Sequence, residues 1–244
     1  KAAKKASRIA AEGLTDVRLD EASKSVIILE VNCETDFVGK GEPFAKLVHD
    51  VRDSLLKLQP GCIDCAREGV ATLFTDATVK IGEKLELRRF EIVKADPAVV
   101  GTYIHMGGKI SVLVVMAKPD AQLAKGLAMH IAANNPQYIA REDIPAAVRE
   151  HETKIQLEAA KSDEKLAGKP EAALAKIIEG KVNKVFSEST LAEQAYLLDE
   201  NGATVQNVLA RSGNKVLKFV RYAVGEGIEK RVDDFAKEVM SQVK

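Results

Sequence analysis

The stretch VIILEVNCETDFV, residues 26–38, decides the reading of the fold. Residues 26–31 are aliphatic and mostly β-branched, interrupted only by Glu30, which suits a strand covered on most of both faces. Asn32, Glu34, Thr35 and Asp36 then favour turns and helix caps, because their short polar side chains can bond to nearby backbone. Phe37 therefore stands just beyond a buried strand, on the segment leading to Gly39, Gly41 and a helix that opens near Pro43. Exposed functional groups on a rigid scaffold commonly lie at such positions. The alternative is that Phe37 folds back as a staple onto the following helix.

At 244 residues the chain can bury one large core or two small ones. Lysine plus arginine and aspartate plus glutamate both number 36. A net charge of zero argues against direct nucleic-acid binding, which usually shows as a basic excess or stripe. The basic opening, residues 1–5, reads as a solvated end. The longest apolar run, residues 110–117, has the length of a strand and not of a membrane span, so a soluble chain is expected. Neither an initiator methionine nor a signal-peptide pattern is present, so trimming or processing upstream is expected. Three cysteines are too few for a secreted disulfide framework. Cys62 and Cys65 have the spacing of half a zinc site or a redox pair. No second pair completes them, and His49, His105, His130 and His151 are scattered, so a reduced, incidental pair is expected.

The chain reads as α+β. Residues 2–13 are rich in Ala and Lys, with helical propensity ending at Gly13, so a linker helix is expected within residues 1–20. Phe44, Leu47, Val48, Val51, Leu55 and Leu58 fall on one helical face, and Pro60-Gly61 stops that helix. Residues 70–81 are ambiguous. Residues 85–93 alternate as a strand, with Leu85, Leu87 and Arg89 opposite Glu86, Arg88 and Phe90. Two extended runs, 99–106 and 109–117, flank Gly107-Gly108 as a hairpin, and a helix from Pro119-Asp120 closes at Asn134-Asn135-Pro136. The order strand, helix, later strand thus occurs twice, which suggests two related α+β core subdomains, residues 21–98 and residues 99–146 with 187–227. Between the halves of the second, residues 147–186 carry two narrow apolar stripes around Gly168-Lys-Pro170, as in an antiparallel helical hairpin or coiled coil. Ile228, Val232, Phe235, Val239 and Val243 fall on one face of a C-terminal helix, residues 228–244.

Nucleotide chemistry is poorly supported. Val224-Gly-Glu-Gly227 follows a strand, but Lys230 occupies the third glycine position of a dinucleotide fingerprint, and too little chain remains for a further strand. Phosphate-loop, nucleophile-elbow and zinc-protease motifs are absent from the sequence. Three classes remain in play: a partner-binding exchange factor, a dinucleotide enzyme and a coiled-coil scaffold.

Three ordered blocks carry a resemblance that separates these classes. Asn32-Cys-Glu-Thr-Asp-Phe-Val38 after an apolar strand resembles the signature of the elongation factor Ts family, the guanine-nucleotide exchange factors of elongation factor Tu. Residues 128–133, AMHIAA, followed by Asn-Asn-Pro, are similar to that family's core helix, and Gly225-Glu-Gly-Ile-Glu-Lys230 resembles its carboxy-terminal signature. The resemblance implies a translation factor that is not an enzyme, needs no cofactor or metal of its own, and binds elongation factor Tu in GDP-bound and nucleotide-free states. It implies that Thr35, Asp36, Phe37 and Val38 intrude on the partner and displace its magnesium site. His105, in the Tyr103-Ile-His pattern, and Gly107 would be weaker partner contacts, whereas His130 reads as structural. It further implies a homodimerisation role for the hairpin, a small helical domain preceding this stretch, and a bacterial cytoplasmic location, with the mitochondrial matrix or plastid stroma as alternatives.

Overall fold

The computed structural model describes residues 8–163, 166 and 170–229. Two three-stranded sheets organise them. The first has the order β1 (Glu12–Asp20), β2 (Ser25–Cys33), β3 (Glu86–Lys94), and the second β4 (Val100–His105), β5 (Ile110–Met116), β6 (Val216–Ala223). In each, the middle strand is the second in sequence and the third arrives after a helical excursion, so the repeated element order read from the sequence is present. The described chain divides into two compact units, one of residues 8–97, 102–113 and 220–229, the other of 98–101 and 114–219.

In the first unit both strand pairs are antiparallel and β2 is buried along its whole length. Ile27, Leu29, Val31 and Cys33 share a core with Phe44, Leu47, Val48, Val51 and Leu55 of α2 (Glu42–Leu58). Further cover comes from α3 (Ile63–Gly69) and α4 (Ala71–Ile81), which resolves the ambiguous segment as helix. The expected linker helix is corrected over all its described residues: residues 8–11 are not helical and residues 12–20 form β1. Pairing with the nine residues of β2 satisfies the backbone groups that face it, and this outweighs a weak local propensity for helix. Residues 1–7 lie outside the described range. Cys62 and Cys65 are likewise corrected, from a reduced pair to a disulfide on the exposed start of α3.

The regular alternation read for residues 85–93 is also corrected. Glu30 pairs with Arg89 and Val31 with Leu87, so Arg88 is the extra residue of a β-bulge. Leu85 and Leu87 pack on the core before the bulge, and Phe90 and Ile92 after it. The phase shift brings Arg88 and Arg89 together onto one carboxylate. Glu30, with no exposed surface, accepts from Arg88 Nη1 at 3.0 Å, Arg89 Nε at 2.6 Å and the Gly225 backbone N–H at 2.8 Å. Arg89 also donates to the Ala223 carbonyl and stacks on Tyr222, 4.1 Å from the ring centre, while Arg88 donates to the Glu226 carbonyl. The helix expected over 228–243 lies outside the described residues except for Ile228 and Glu229, which are not helical.

In the second unit, Leu123, Leu127, Ala128 and Ile131 are buried on one face of α5 (Ala121–Asn134), which Asn135 closes in the left-handed conformation. The segment expected to project as a hairpin forms α6 (Ala146–Lys161) and α7 (Glu171–Ser189), followed by α8 (Val205–Ser212). Ala160, Leu166 and Ile178 make a small buried cluster, with Leu174, Ile177 and Val182 packed against it. The stripe on α6 is not fully covered, and Val148 and Ile155 remain exposed. The turn expected around Gly168-Lys-Pro170 falls largely on residues 167–169, outside the described range.

His130 is structural. It is wholly buried, its Nε2 lies 2.9 Å from Gln194 Oε1, and its Nδ1 accepts the Leu197 backbone N–H at 3.1 Å. These partners require the neutral ring protonated on Nε2. Burial holds its pKa below the ordinary value of 6.5 despite the Gln194 hydrogen bond. A lowered folded pKa means that its contribution is fully present above about pH 6.5 and is lost as the pH falls below it, because only the unfolded chain protonates readily. The decline in Tm between pH 7.5 and pH 5 should therefore be shallower for His130→Asn than for the parent chain, as followed by circular dichroism. Parallel Tm curves would contradict this assignment.

Candidate functional site

The exposed groups at the end of β2 sit on a short helix, α1 (Asp36–Gly39), whose underside is fixed. Thr35 is its N-cap: extended in backbone (φ −120°, ψ 151°), it accepts from the Val38 N–H at 3.3 Å. Asp36 lies in the first turn, where a carboxylate suits the helix dipole, and accepts from Lys40 at 2.7 Å. The Lys40 hydrogen bond and charge hold the Asp36 carboxyl below the usual carboxylate range. Phe37 is 85% exposed, so it is not stapled onto α2. Val38, half-buried, packs on the core and anchors the turn from below. Gly39 is buried where α1 meets β1, and a Cβ there would be in ordinary contact with the Gly13 nitrogen at 3.4 Å and Cys33 Sγ at 3.5 Å.

The second segment is the turn between β4 and β5. Met106, Gly107 and Gly108 all have positive φ, of 49°, 62° and 96°, a run for which two glycines are well suited. Met106 is 74% exposed, Gly107 is exposed, and His105 is half-buried with Nδ1 3.1 Å from the Tyr103 hydroxyl. Gly108 is buried against β1: its carbonyl accepts the Thr15 N–H at 2.7 Å and the Thr15 hydroxyl at 2.9 Å. Lys109 reaches Glu12 and the Gly13 carbonyl, both at 3.4 Å.

Both predicted segments therefore rest on adjacent residues of β1, α1 on Gly13 and the hairpin turn on Leu14 and Thr15. Lys109 adds an electrostatic link, its charge contributing to the lowered pKa of Asp36. Two short stretches 70 residues apart thus present exposed Thr35, Asp36, Phe37, Met106 and Gly107 above one strand, β1. Sequence reasoning missed β1 as the support, and it missed Met106, whose signal was an apolar residue beside two glycines. It also missed Glu83, half-buried, which accepts the Glu34 and Thr35 backbone N–H groups at 3.0 and 3.1 Å and the Thr35 hydroxyl at 2.6 Å. Among the described residues no cluster of three or more His, Cys, Asp or Glu side chains is placed to hold a metal ion. No described helix is long and apolar enough to cross a membrane. The arrangement offers surface complementarity to a macromolecule, with an aromatic side chain projecting from a fixed base.

The family model described as elongation factor TS matches residues 34–226, a range that takes in both exposed segments. An elongation factor Ts from Acholeplasma laidlawii (strain PG-8A) is 43% identical over 251 residues, an alignment covering 100% of this chain and 84% of the relative. With a signature loop on a buried strand and a match spanning both halves of the fold, the chain belongs to the elongation factor Ts family of translation elongation factors.

Proposed function

We propose that this chain is a guanine-nucleotide exchange factor that binds elongation factor Tu and promotes GDP release by inserting the Thr35–Val38 turn beside the partner's magnesium site. Phe37 is the intruding group, and Asp36 and Thr35 hold the turn that presents it. His105 and Gly107 supply weaker contacts from the neighbouring hairpin. The bacterial cytoplasm is the proposed setting, in keeping with the bacterial relative.

The observation that carries this reading is Phe37: a large apolar side chain, 85% exposed, on a turn whose other residues are capped or packed. Exposure of that kind on a fixed base has a natural use in a contact with another macromolecule. Exchange requires no acid, base or bound group of the chain's own. By linkage, a protein that prefers the nucleotide-free partner lowers that partner's affinity for nucleotide by the same factor. Burying one exposed Phe supplies about 1.5–3 kcal/mol, roughly ten- to hundredfold in that coupling.

Phe37→Ala removes little that the free protein buries, so its melting temperature should stay within about 2 °C of the parent. Release of fluorescent GDP from elongation factor Tu should slow about tenfold or more, because the lost contact forms only where nucleotide has been loosened. Unchanged release in a folded variant would refute the insertion mechanism.

A second role rests on α6. Val148 and Ile155, seven residues apart on one helical face, are exposed at 37% and 44%. We propose that this face joins a second copy of the chain as a coiled-coil contact. Replacing residues 147–186 with a short Gly-rich link should halve the mass seen by sedimentation equilibrium while exchange activity persists. An unchanged mass would exclude the role.

A further inference from the structure

Glu83 lies 48 residues from Thr35 in sequence, yet it meets the site segment with both of its carboxylate oxygens. Its Oε2 takes the Glu34 and Thr35 backbone N–H groups at 3.0 and 3.1 Å, and its Oε1 takes the Thr35 hydroxyl at 2.6 Å. The clasp is reciprocal, since Glu34 Oε1 accepts the Lys84 backbone N–H at 2.6 Å, and Lys84 Nζ donates to the Arg8 carbonyl at 3.0 Å while Arg8 pairs with Glu34 at 3.1 Å. The base of the clasp is stiff. Gly82 ends α4 in the left-handed conformation (φ 84°), its N–H bonded to the Thr78 carbonyl at 3.0 Å, so Glu83 leaves the helix in one direction.

The consequence follows from the valence of one hydroxyl. Thr35 Oγ1 carries a single proton, and giving it to Glu83 turns the oxygen's lone pairs toward the Val38 N–H, the bond that caps α1. Glu83 thereby selects the Thr35 rotamer, the rotamer caps α1, and α1 sets the direction in which Phe37 projects. We infer that Glu83 is a positioning residue for exchange: it touches neither partner nor nucleotide and acts by holding the Thr35–Val38 turn in its inserting conformation. The inference rests on the proposed role of that turn. Its full effect takes a charge-assisted acceptor with two oxygens, because three donors converge on it, and the oxygen that serves the Glu34 and Thr35 N–H groups supplies part of that effect alone.

The test is a double-mutant cycle read by release of fluorescent GDP from elongation factor Tu, using the full chain at saturating and subsaturating concentrations. Glu83→Ala should lower the maximal release rate about five- to tenfold, with a Tm close to that of the parent because water can reach the freed backbone groups. Glu83→Gln, which keeps one carbonyl acceptor for the two N–H groups, should recover part of the loss. In a Phe37→Ala background, Glu83→Ala should add less than about twofold, since a group that acts through Phe37 has nothing left to orient. Multiplicative losses in the double variant, or a loss that Glu83→Gln does not relieve, would overturn the positioning role. If Phe37→Ala alone leaves release unchanged, the fault lies with the insertion reading, which the single variant exposes before the cycle is closed.

Discussion

A fully buried carboxylate does most to hold the first unit of this protein in register. Glu30 sits in the middle of the central strand with no exposed surface, and a lone charge in that position would be prohibitively costly. It is tolerated because three segments converge on it: the paired arginines of the β3 bulge, the Gly225 backbone N–H, and Asn32 of its own strand at 3.2 Å. The donors outside its own strand come from positions 58, 59 and 195 residues away. The arginines stay about a quarter exposed, which keeps part of their hydration while their inner N–H groups serve the carboxylate. A pair arranged this way specifies register more than it adds stability: a one-residue slip of β3 would remove the arginines from Glu30 and expose Phe90 and Ile92.

The site inherits its rigidity from that register. Asn32, bonded to Glu30 on one side and to the Glu12 carbonyl at 3.1 Å on the other, fixes β1 against β2 two residues before the turn begins. β1 then receives α1 through Gly13 and the β4–β5 turn through Thr15. What remains free are side chains rather than backbone, chiefly Phe37 and Met106. Preorganisation of this kind matters for an exchange factor, because any loop ordering required at the moment of contact would be subtracted from the coupling between partner and nucleotide.

Much of this was legible in the sequence, and the failures share one cause. The buried strand, its polar terminus, the α2 stripe from Phe44 to Leu55 and the β4–β5 hairpin follow from local periodicity and turn chemistry and stand where they were read, whereas Leu58, read as the end of the stripe, is exposed and Leu56 is buried in the last turn instead. Phe37 was left between two positions by the same local rules, since an aromatic after a capped turn can pack or project, and only the packing of Val38 and Gly39 beneath it decides. β1 was missed because its fold depends on a partner strand, and local propensity on its N-terminal side pointed elsewhere. The Arg88 bulge was invisible because a sequence shows alternation but not the residue at which pairing skips. Glu83 was missed for a similar reason: its role is defined by donors 48 and 49 residues away. The disulfide between Cys62 and Cys65 was weighed on compartment and spacing, and those say nothing of how the start of α3 places the two sulfurs.

The central claim is that the energy of Phe37 contact is spent on loosening nucleotide rather than on binding as such. Isothermal titration of the chain against elongation factor Tu, with and without saturating GDP, measures this as a ratio of two affinities. For the parent chain the nucleotide-free partner should bind far more tightly. In Phe37→Ala the ratio should fall by about ten- to hundredfold, with most of the loss in the nucleotide-free arm. Equal losses in both arms, leaving the ratio intact, would mean that Phe37 serves affinity alone and would contradict the account.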